Sequence, residues 1–296
     1  MVGERRLNEE EVSAMQGSRS GKVAIWFGVL ILGCTLGTDL LGLAAGSEDL
    51  MYLGALWALI LTLIFTLLPP QRREYLRMLR MHHPGKLRWY CSALLISGGP
   101  VIVSFLVAWS MHLVEAPACP QLSCFLGTSG APAFSSLTSN LLLYLPFLFL
   151  FALFEEMAWR GFLQPRLSRW LGLKSALLIT GLIWGLWHYG WFIWGHYYPG
   201  GELIIDMLMF TLDTVLESVI MGWILLRGES LWPLVLYHGA SNSIWELCNA
   251  YFRIKHAGWV YLAGESSIIN LVIWGIIVVF LWRRLPRSER QVEAMA

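Results

Sequence analysis

Residues 147–163 read FLFLFALFEEMAWRGFL, an apolar run interrupted near its end by Glu155, Glu156 and Arg160. A charged side chain at the centre of a bilayer costs about 3 kcal/mol on insertion scales, so ionisable groups inside an apolar span are candidates for a functional site. The whole chain is 56% hydrophobic and 14% charged, whereas a soluble domain has about 25% charged residues. This composition predicts an all-α, polytopic membrane helix bundle.

Eight apolar stretches are each close to the length of about 20 residues that crosses a hydrocarbon core. They are residues 23–45, 51–70, 89–114, 139–163, 175–195, 203–226, 231–250 and 266–282. We therefore predict about eight transmembrane helices in a single transmembrane domain, residues 23–282, with a motif-bearing core at 139–250. A polar cytoplasmic segment, 1–22, precedes this domain, and a basic cytoplasmic tail, 283–296, follows it.

The distribution of lysine and arginine predicts the orientation. With a cytoplasmic N-terminus, all of the 21 lysines and arginines except Arg253 and Lys255 fall on the cytoplasmic side, as the positive-inside rule requires. We expect both termini in the cytoplasm and a multi-pass protein of the cell (inner) membrane. No long basic run with interleaved aromatic residues occurs, which argues against a nucleic-acid partner. A disulfide between Cys119 and Cys124, in the longest outside loop, is left open because spacing does not fix its geometry.

Glu155 and Glu156 differ in their expected partners. On a helix, Glu156 and Arg160 are i and i+4 and lie on one face, in the orientation that favours an ion pair. Glu155 is turned by about 100° from Glu156 and has no obvious local partner, so it could serve as a general base. A salt-bridge cluster at the membrane rim would explain both glutamates as well.

A histidine in the next predicted span shares a face with small residues. Gly181, Gly185 and His188 lie at i, i+4 and i+7, and faces of small residues pack against neighbouring membrane helices. We therefore predict that His188 points into the bundle. The alternative is a core histidine that is hydrogen-bonded across helices.

A polar stripe follows one side of the seventh predicted span. His238, Asn242 and Glu246 lie at i, i+4 and i+8. An imidazole and an amide one turn apart can both donate to a single oxygen, as an oxyanion site requires. Glu246 lies nearer the outer side and has no assigned role. The alternative is a hydrogen-bonded seam between helices.

The depths of these groups permit one common site. At 1.5 Å per residue, Glu155 and His188 lie about 20 Å from the cytoplasmic ends of their helices, and His238 and Asn242 lie about 10–17 Å from theirs. This predicts a single site reached from the cytoplasm.

Three motifs in the same order resemble a known family. They are Glu-Glu-x-x-x-Arg at 155–160, aromatic-x-x-x-His at 184–188 and His-x-x-x-Asn at 238–242. Together they resemble the CAAX protease and bacteriocin-processing (CPBP, or Abi) family of intramembrane endopeptidases, whose relatives include the type II CAAX prenyl proteases (Ras-converting enzymes). The resemblance covers roughly residues 139–250. Trp184 departs from the family pattern, in which phenylalanine is usual.

The resemblance implies a role for each motif residue. Glu155 would be the base that activates a water, and His188 would bind that water or a metal that holds it. His238 and Asn242 would stabilise the tetrahedral oxyanion. The cofactor is unknown; if zinc is bound, its ligands would be Glu155, His188 and His238. The supporting residues would be Glu156 and Arg160.

The implied function is hydrolysis of a peptide bond in a membrane-associated protein or peptide, at a cytoplasm-facing site, by a glutamate-dependent or metallo-endopeptidase. Two alternatives stay open. A catalytically silent family member could act as an immunity or scaffold protein. Asp213 and Glu217, on one face of the sixth predicted span, are expected to support the site, but an acidic stripe also suits a proton-coupled transporter.

Overall fold

The structure is a computed structural model that describes residues 9–67, 71–115, 132–195, 197–198, 201–255 and 259–286. Cys119 and Cys124, whose pairing the sequence leaves open, lie outside the described residues. Cys34, Cys91 and Cys248 are free thiols.

The described chain is almost entirely helical, which confirms the predicted all-α helix bundle. A π-helical turn, Trp159–Leu163, joins α6 to α7, and a short 3₁₀ turn, Trp259–Tyr261, precedes α12. The two short strands β1 and β2, Val114–Glu115 and Arg253–Ile254, pair in antiparallel fashion. The helices are α1 Glu9–Ala45, α2 Glu48–Ala55, α3 Trp57–Leu67, α4 Gln71–Met78, α5 Leu87–Ser110, α6 Pro132–Ala158, α7 Gln164–Leu171, α8 Leu173–Trp187, α9 Tyr189–Trp194, α10 Leu203–Gly228, α11 Trp232–Tyr251 and α12 Ile268–Trp282.

Within the described residues, four helical stretches are long and apolar enough to cross a membrane. They are Gln16–Ala45, Glu48–Leu67, Leu87–Ser110 and Leu173–Trp194. The helix α12 is apolar but has 15 residues, and the predicted total of about eight spans stays a prediction. Large apolar side chains such as Leu95, Ile204 and Ile276 are more than two-thirds exposed. Such a surface fits contact with lipid, since exposed apolar area of this extent is rare on soluble monomers.

Several helix bounds differ from the predicted spans. The first helix begins at Glu9 rather than near residue 23. The stretch 51–70 is divided at Leu56 into α2 and α3, and the stretch 175–195 is divided at His188 into α8 and α9. A hydropathy pattern contains no signal for either division because the apolar residues continue through both.

The helix α5 runs through Pro100 without ending. Proline has no N–H, so it leaves the carbonyl four residues earlier without its helical donor. That carbonyl belongs to Ile96, and it accepts a hydrogen bond from the Trp274 indole at 2.9 Å. The free acceptor thereby links α5 to α12.

The loop between α4 and α5 contacts the start of α11, the helix that carries His238 and Asn242. The Trp232 indole donates to the Met81 carbonyl at 3.1 Å, and the Ser230 hydroxyl donates to the His83 carbonyl at 2.8 Å.

The predicted face of small residues on α8 is confirmed. A Cβ at Gly181 would lie 2.5 Å from the Cα of Val215, and a Cβ at Gly185 would lie 2.7 Å from the Oγ1 of Thr214. The same Thr214 hydroxyl donates to the Gly181 carbonyl at 3.0 Å. The close approach of α8 to α10 therefore depends on the two missing side chains, and it sets the position of His188 at the end of α8.

We expect Gly181→Ala to destabilise the fold by about 1–3 kcal/mol, because the added methyl group forces two tightly packed backbones apart. The measurement is the thermal unfolding midpoint of the purified protein in detergent. Gly275→Ala is the matched control, since a Cβ at Gly275 meets nothing within 4 Å. Equal midpoints for the two variants would contradict the packing argument.

Candidate active site

The two glutamates lie in the last turn of α6, which ends at Ala158, directly before the π-helical turn. Glu156 and Arg160 are fully buried, and Glu155 is 7% exposed. Arg160 Nη1 donates to Glu156 Oε1 at 2.9 Å, in the i, i+4 geometry that the spacing predicts. No pattern in the sequence predicts the π-helical turn that contains Arg160, although such turns are frequent at functional sites.

Glu155 is held by two tryptophans. The Trp184 indole N–H donates to Glu155 Oε2 at 2.7 Å, and the Trp159 indole donates to the same oxygen at 3.3 Å. The other oxygen, Oε1, lies 3.9 Å from Nε2 of His238. One carboxylate oxygen is therefore fixed by donors, and the second is directed toward the imidazole.

His238 lies between both glutamates. Its Nδ1 is 3.0 Å from Glu156 Oε1, and a carboxylate oxygen only accepts, so Nδ1 carries the hydrogen and donates. Glu156 thus accepts from Arg160 and from His238 at the same oxygen. The ring orientation that results turns Nε2 toward Glu155.

His188 occupies the junction between α8 and α9 and is 7% exposed. Its Nδ1 lies 3.0 Å from the Trp184 carbonyl, which fixes Nδ1–H as a donor because a carbonyl can only accept. In the neutral ring, Nε2 is then left as an acceptor. The ring packs edge to face on Trp187 and Phe210, with centroid distances of 4.7 and 4.8 Å.

The predicted site residues meet at one cavity of about 390 Å³. Glu155, His188, His238 and Asn242 all line it, from the three helices α6, α8 and α11. Glu156 and Arg160 lie behind His238 and Trp184; the Arg160 guanidinium stacks over the Trp184 ring at 4.4 Å.

Trp184 is the contact that reasoning from sequence missed. It bonds Glu155 through its indole, His188 through its carbonyl, and Arg160 through its ring face. Its ring also lies 5.2 Å from that of His238, edge to face. The sequence offered only one signal, the position of an aromatic residue four before the histidine.

The cavity also contains carboxyl groups from outside the three motifs. Asp213, Glu217 and Glu246 line it, as does Glu265. Glu265 comes from the loop before α12, and no helical periodicity in the sequence distinguishes it. Asp213 and Glu217 therefore lie beside the predicted site, as expected, but their role stays a prediction.

The three predicted zinc ligands line one cavity, but in this arrangement they do not converge on a common point. Among the described residues, no group of three or more His, Cys, Asp or Glu side chains converges so that it could hold a metal ion. Oε2 of Glu155 already accepts from two indoles. The Nδ1 bonds of His188 and His238 leave Nε2 of each ring free, which is compatible with ligation. Zinc binding by Glu155, His188 and His238 stays a prediction, and no step proposed below uses a metal.

These features define an integral membrane protein whose polar site lies inside a helix bundle. The model of a family described as type II CAAX prenyl endopeptidase Rce1-like matches residues 137–244. A curated relative, CAAX prenyl protease 2 of Methanococcus maripaludis, is 29% identical over 135 residues, which cover 43% of this chain and 50% of the relative. The chain thus spans about half the length of the curated relative it matches. Over residues 137–244, which contain every predicted site residue, the chain is similar to the type II CAAX prenyl endopeptidase family, in agreement with the resemblance to the CAAX protease (CPBP) family.

Proposed function

We propose that this protein is an intramembrane endopeptidase that hydrolyses a peptide bond of a membrane-associated protein or peptide. The observation that carries this proposal is the convergence of Glu155, His188, His238 and Asn242 on one cavity. The basic residues of the predicted inner loops favour a site that opens to the cytoplasm and a location in the cell (inner) membrane.

In this mechanism Glu155 acts as the general base. A water in the cavity gives one hydrogen bond to Glu155 Oε1 and one to the free Nε2 of His188. Glu155 takes the first proton as the water oxygen attacks the scissile carbonyl carbon, and it later gives that proton to the leaving amine. Positioned acid–base groups of this kind contribute about 10²–10⁴-fold to a rate.

His238 and Asn242 stabilise the charge that develops on the carbonyl oxygen. The Asn242 amide and, in the doubly protonated ring, the Nε2–H of His238 lie one helical turn apart and can donate to the same oxyanion. Donors fixed before the reaction are effective because they do not reorganise in the transition state. Glu156 holds the ring of His238 from behind and is itself held by Arg160.

The test is a comparison of peptide termini in membrane fractions of cells that express either the native protein or the Glu155→Gln variant at equal levels. We expect at least one new pair of termini, from a single cut in a membrane-associated protein, only with the native protein. Loss of the same cut in His188→Ala would support the shared site. Identical termini in all samples would contradict the proposal and favour a catalytically silent scaffold.

Trp184→Phe is expected to lower kcat by about 10–100-fold, because a hydrogen bond to a charged group contributes about 1.5–3 kcal/mol. The substitution keeps an aromatic ring and removes the donor that lies 2.7 Å from Glu155, together with part of the ring area that contacts Arg160 and His238. KM should change little, since the lost contact positions the base and not the substrate. Kinetics on the identified substrate measure both constants.

Trp159→Phe provides the comparison for this prediction, because the Trp159 donor is farther from the same oxygen, at 3.3 Å. We expect a smaller loss of kcat than for Trp184→Phe. An equal or larger loss would show that the two indoles do not act through the distances seen here.

A further inference from the structure

The wall of the cavity that α10 and the loop before α12 form is rich in carboxyl groups that the proposed mechanism does not use. Asp213 and Glu217 from α10 and Glu265 from the loop before α12 are 2%, 7% and 8% exposed, and all three line the cavity. No lysine or arginine is among the lining residues in the described part of the chain. The nearby guanidinium of Arg160 already bonds Glu156.

Two of these acids have oxygen atoms without a partner. Asp213 Oδ2 accepts from the Ser266 hydroxyl at 3.1 Å, but Oδ1 has no hydrogen-bond partner among the described residues. Among the same residues, Glu217 Oε1 has none of good geometry, although the Tyr237 hydroxyl, which is also unpaired, lies within reach of the Glu217 carboxyl group. Native proteins rarely leave a buried acceptor unpaired. An unpaired carboxylate oxygen beside a cavity is therefore a candidate acceptor for a donor group of a ligand. These unpaired acceptors belong to side chains that border an open cavity.

The third acid is anchored and lies close to the same network. The Tyr198 hydroxyl lies 3.2 Å from Glu265 Oε1 and 2.9 Å from Ser266 Oγ, and its single hydrogen can be donated to either one. Asp213, Ser266, Tyr198 and Glu265 therefore form one connected polar wall, held in place before any ligand arrives.

The spacing of the acids indicates which kind of cation they would take. Among the described residues no three such groups converge on a point where a metal ion could sit. A compact ion therefore fits poorly. A guanidinium has five N–H donors in a rigid fork, and an ammonium has three, so a basic side chain can reach separate carboxylates at once.

We propose that Asp213, Glu217 and Glu265 form a specificity subsite that binds a lysine or arginine side chain of the substrate, next to the bond that is cut. The inference rests on the proposed function, because the occupant is part of the peptide substrate. The subsite has a fixed relation to the catalytic residues, since α10 packs closely on α8 through Gly181 and Gly185. An acidic side chain of the substrate would be disfavoured here, because its charge would lie beside three carboxyl groups.

The first test uses the full-length protein in liposomes and a set of acylated peptides that contain the identified cleavage sequence. One residue at a time near the cut is changed to arginine, to its uncharged isostere citrulline, or to glutamate. At one position we expect kcat/KM for arginine to exceed that for citrulline at least tenfold. Asp213→Asn and Glu265→Gln should each bring this ratio toward one, whereas Glu246→Gln, which changes an exposed residue of the same cavity, should leave the ratio unchanged.

The second test measures binding without catalysis. The Glu155→Gln variant is titrated with the arginine and citrulline peptides, and the Kd for arginine should be at least tenfold lower. Adding Asp213→Asn should remove that difference.

The outcomes separate the two proposals. Cleavage of all peptides at equal kcat/KM, or equal Kd values for the two peptides in the inactive variant, would overturn the subsite and leave the endopeptidase intact. If no peptide is cut by the native protein, the endopeptidase fails, and the binding measurement alone decides the subsite.

Discussion

Glu155→Gln is expected to lower the rate of hydrolysis by about 10³-fold or more, while the protein stays folded. A glutamine has nearly the same shape as glutamate and can still accept from the Trp184 and Trp159 indoles through its carbonyl oxygen. It cannot accept the proton of the attacking water, and loss of a general base removes about 10²–10⁴-fold of rate. The effect should fall on kcat, since the base acts in the transition state.

The matched control for Glu155→Gln is Glu246→Gln, which makes the same change at another glutamate of the cavity. Glu246 lines the same cavity, but it is exposed and has no part in the proposed mechanism. We expect near-native kcat for this variant and near-native unfolding midpoints for both. Native-like turnover in Glu155→Gln would contradict the mechanism. Equal losses of kcat in both variants would indicate a general effect of charge in the cavity.

Much of the site could be predicted because local spacing determines it. Glu156 and Arg160 bond each other since they are one helical turn apart, and Gly181 and Gly185 pack on α10 since both are on one face. The contact of Trp184 with Glu155 joins positions 29 residues apart, and only the packing of α6 on its neighbours brings these side chains together. Spacing within a helix contains no information on such a contact.

The divisions within helices could not be predicted for a related reason. The ends of α2 and α8, at Leu56 and His188, fall inside apolar stretches without proline or a capping residue. Hydropathy is averaged over windows of about 20 residues, the length of a membrane span, so it does not resolve these helix ends. Glu265 was missed because it lies in a connecting loop, where neither a helical nor a strand period marks one residue as facing inward.

Arg160→Ala is expected to lower the free energy of unfolding by about 3–5 kcal/mol, because it leaves the carboxylate of Glu156 buried without its cation. This loss should be larger than that caused by Glu155→Gln. Both side chains are fully buried, and the guanidinium also covers one face of Trp184. The yield of folded protein after solubilisation and the thermal midpoint measure the effect. Both should fall well below those of Glu155→Gln, and equal values would contradict a structural pair.

A double substitution separates the structural role of the pair from its role in the site. Glu156 Oε2 and Arg160 Nε and Nη2 have no hydrogen-bond partner among the described residues, so the pair recovers little of the free energy that its desolvation costs. Replacing both by apolar residues of similar size is often neutral or stabilising. We therefore expect Glu156→Leu with Arg160→Met to restore the thermal midpoint. Hydrolysis should stay low, because Nδ1 of His238 then has no carboxylate to hold its ring. Recovery of both stability and kcat would show that the pair serves only folding.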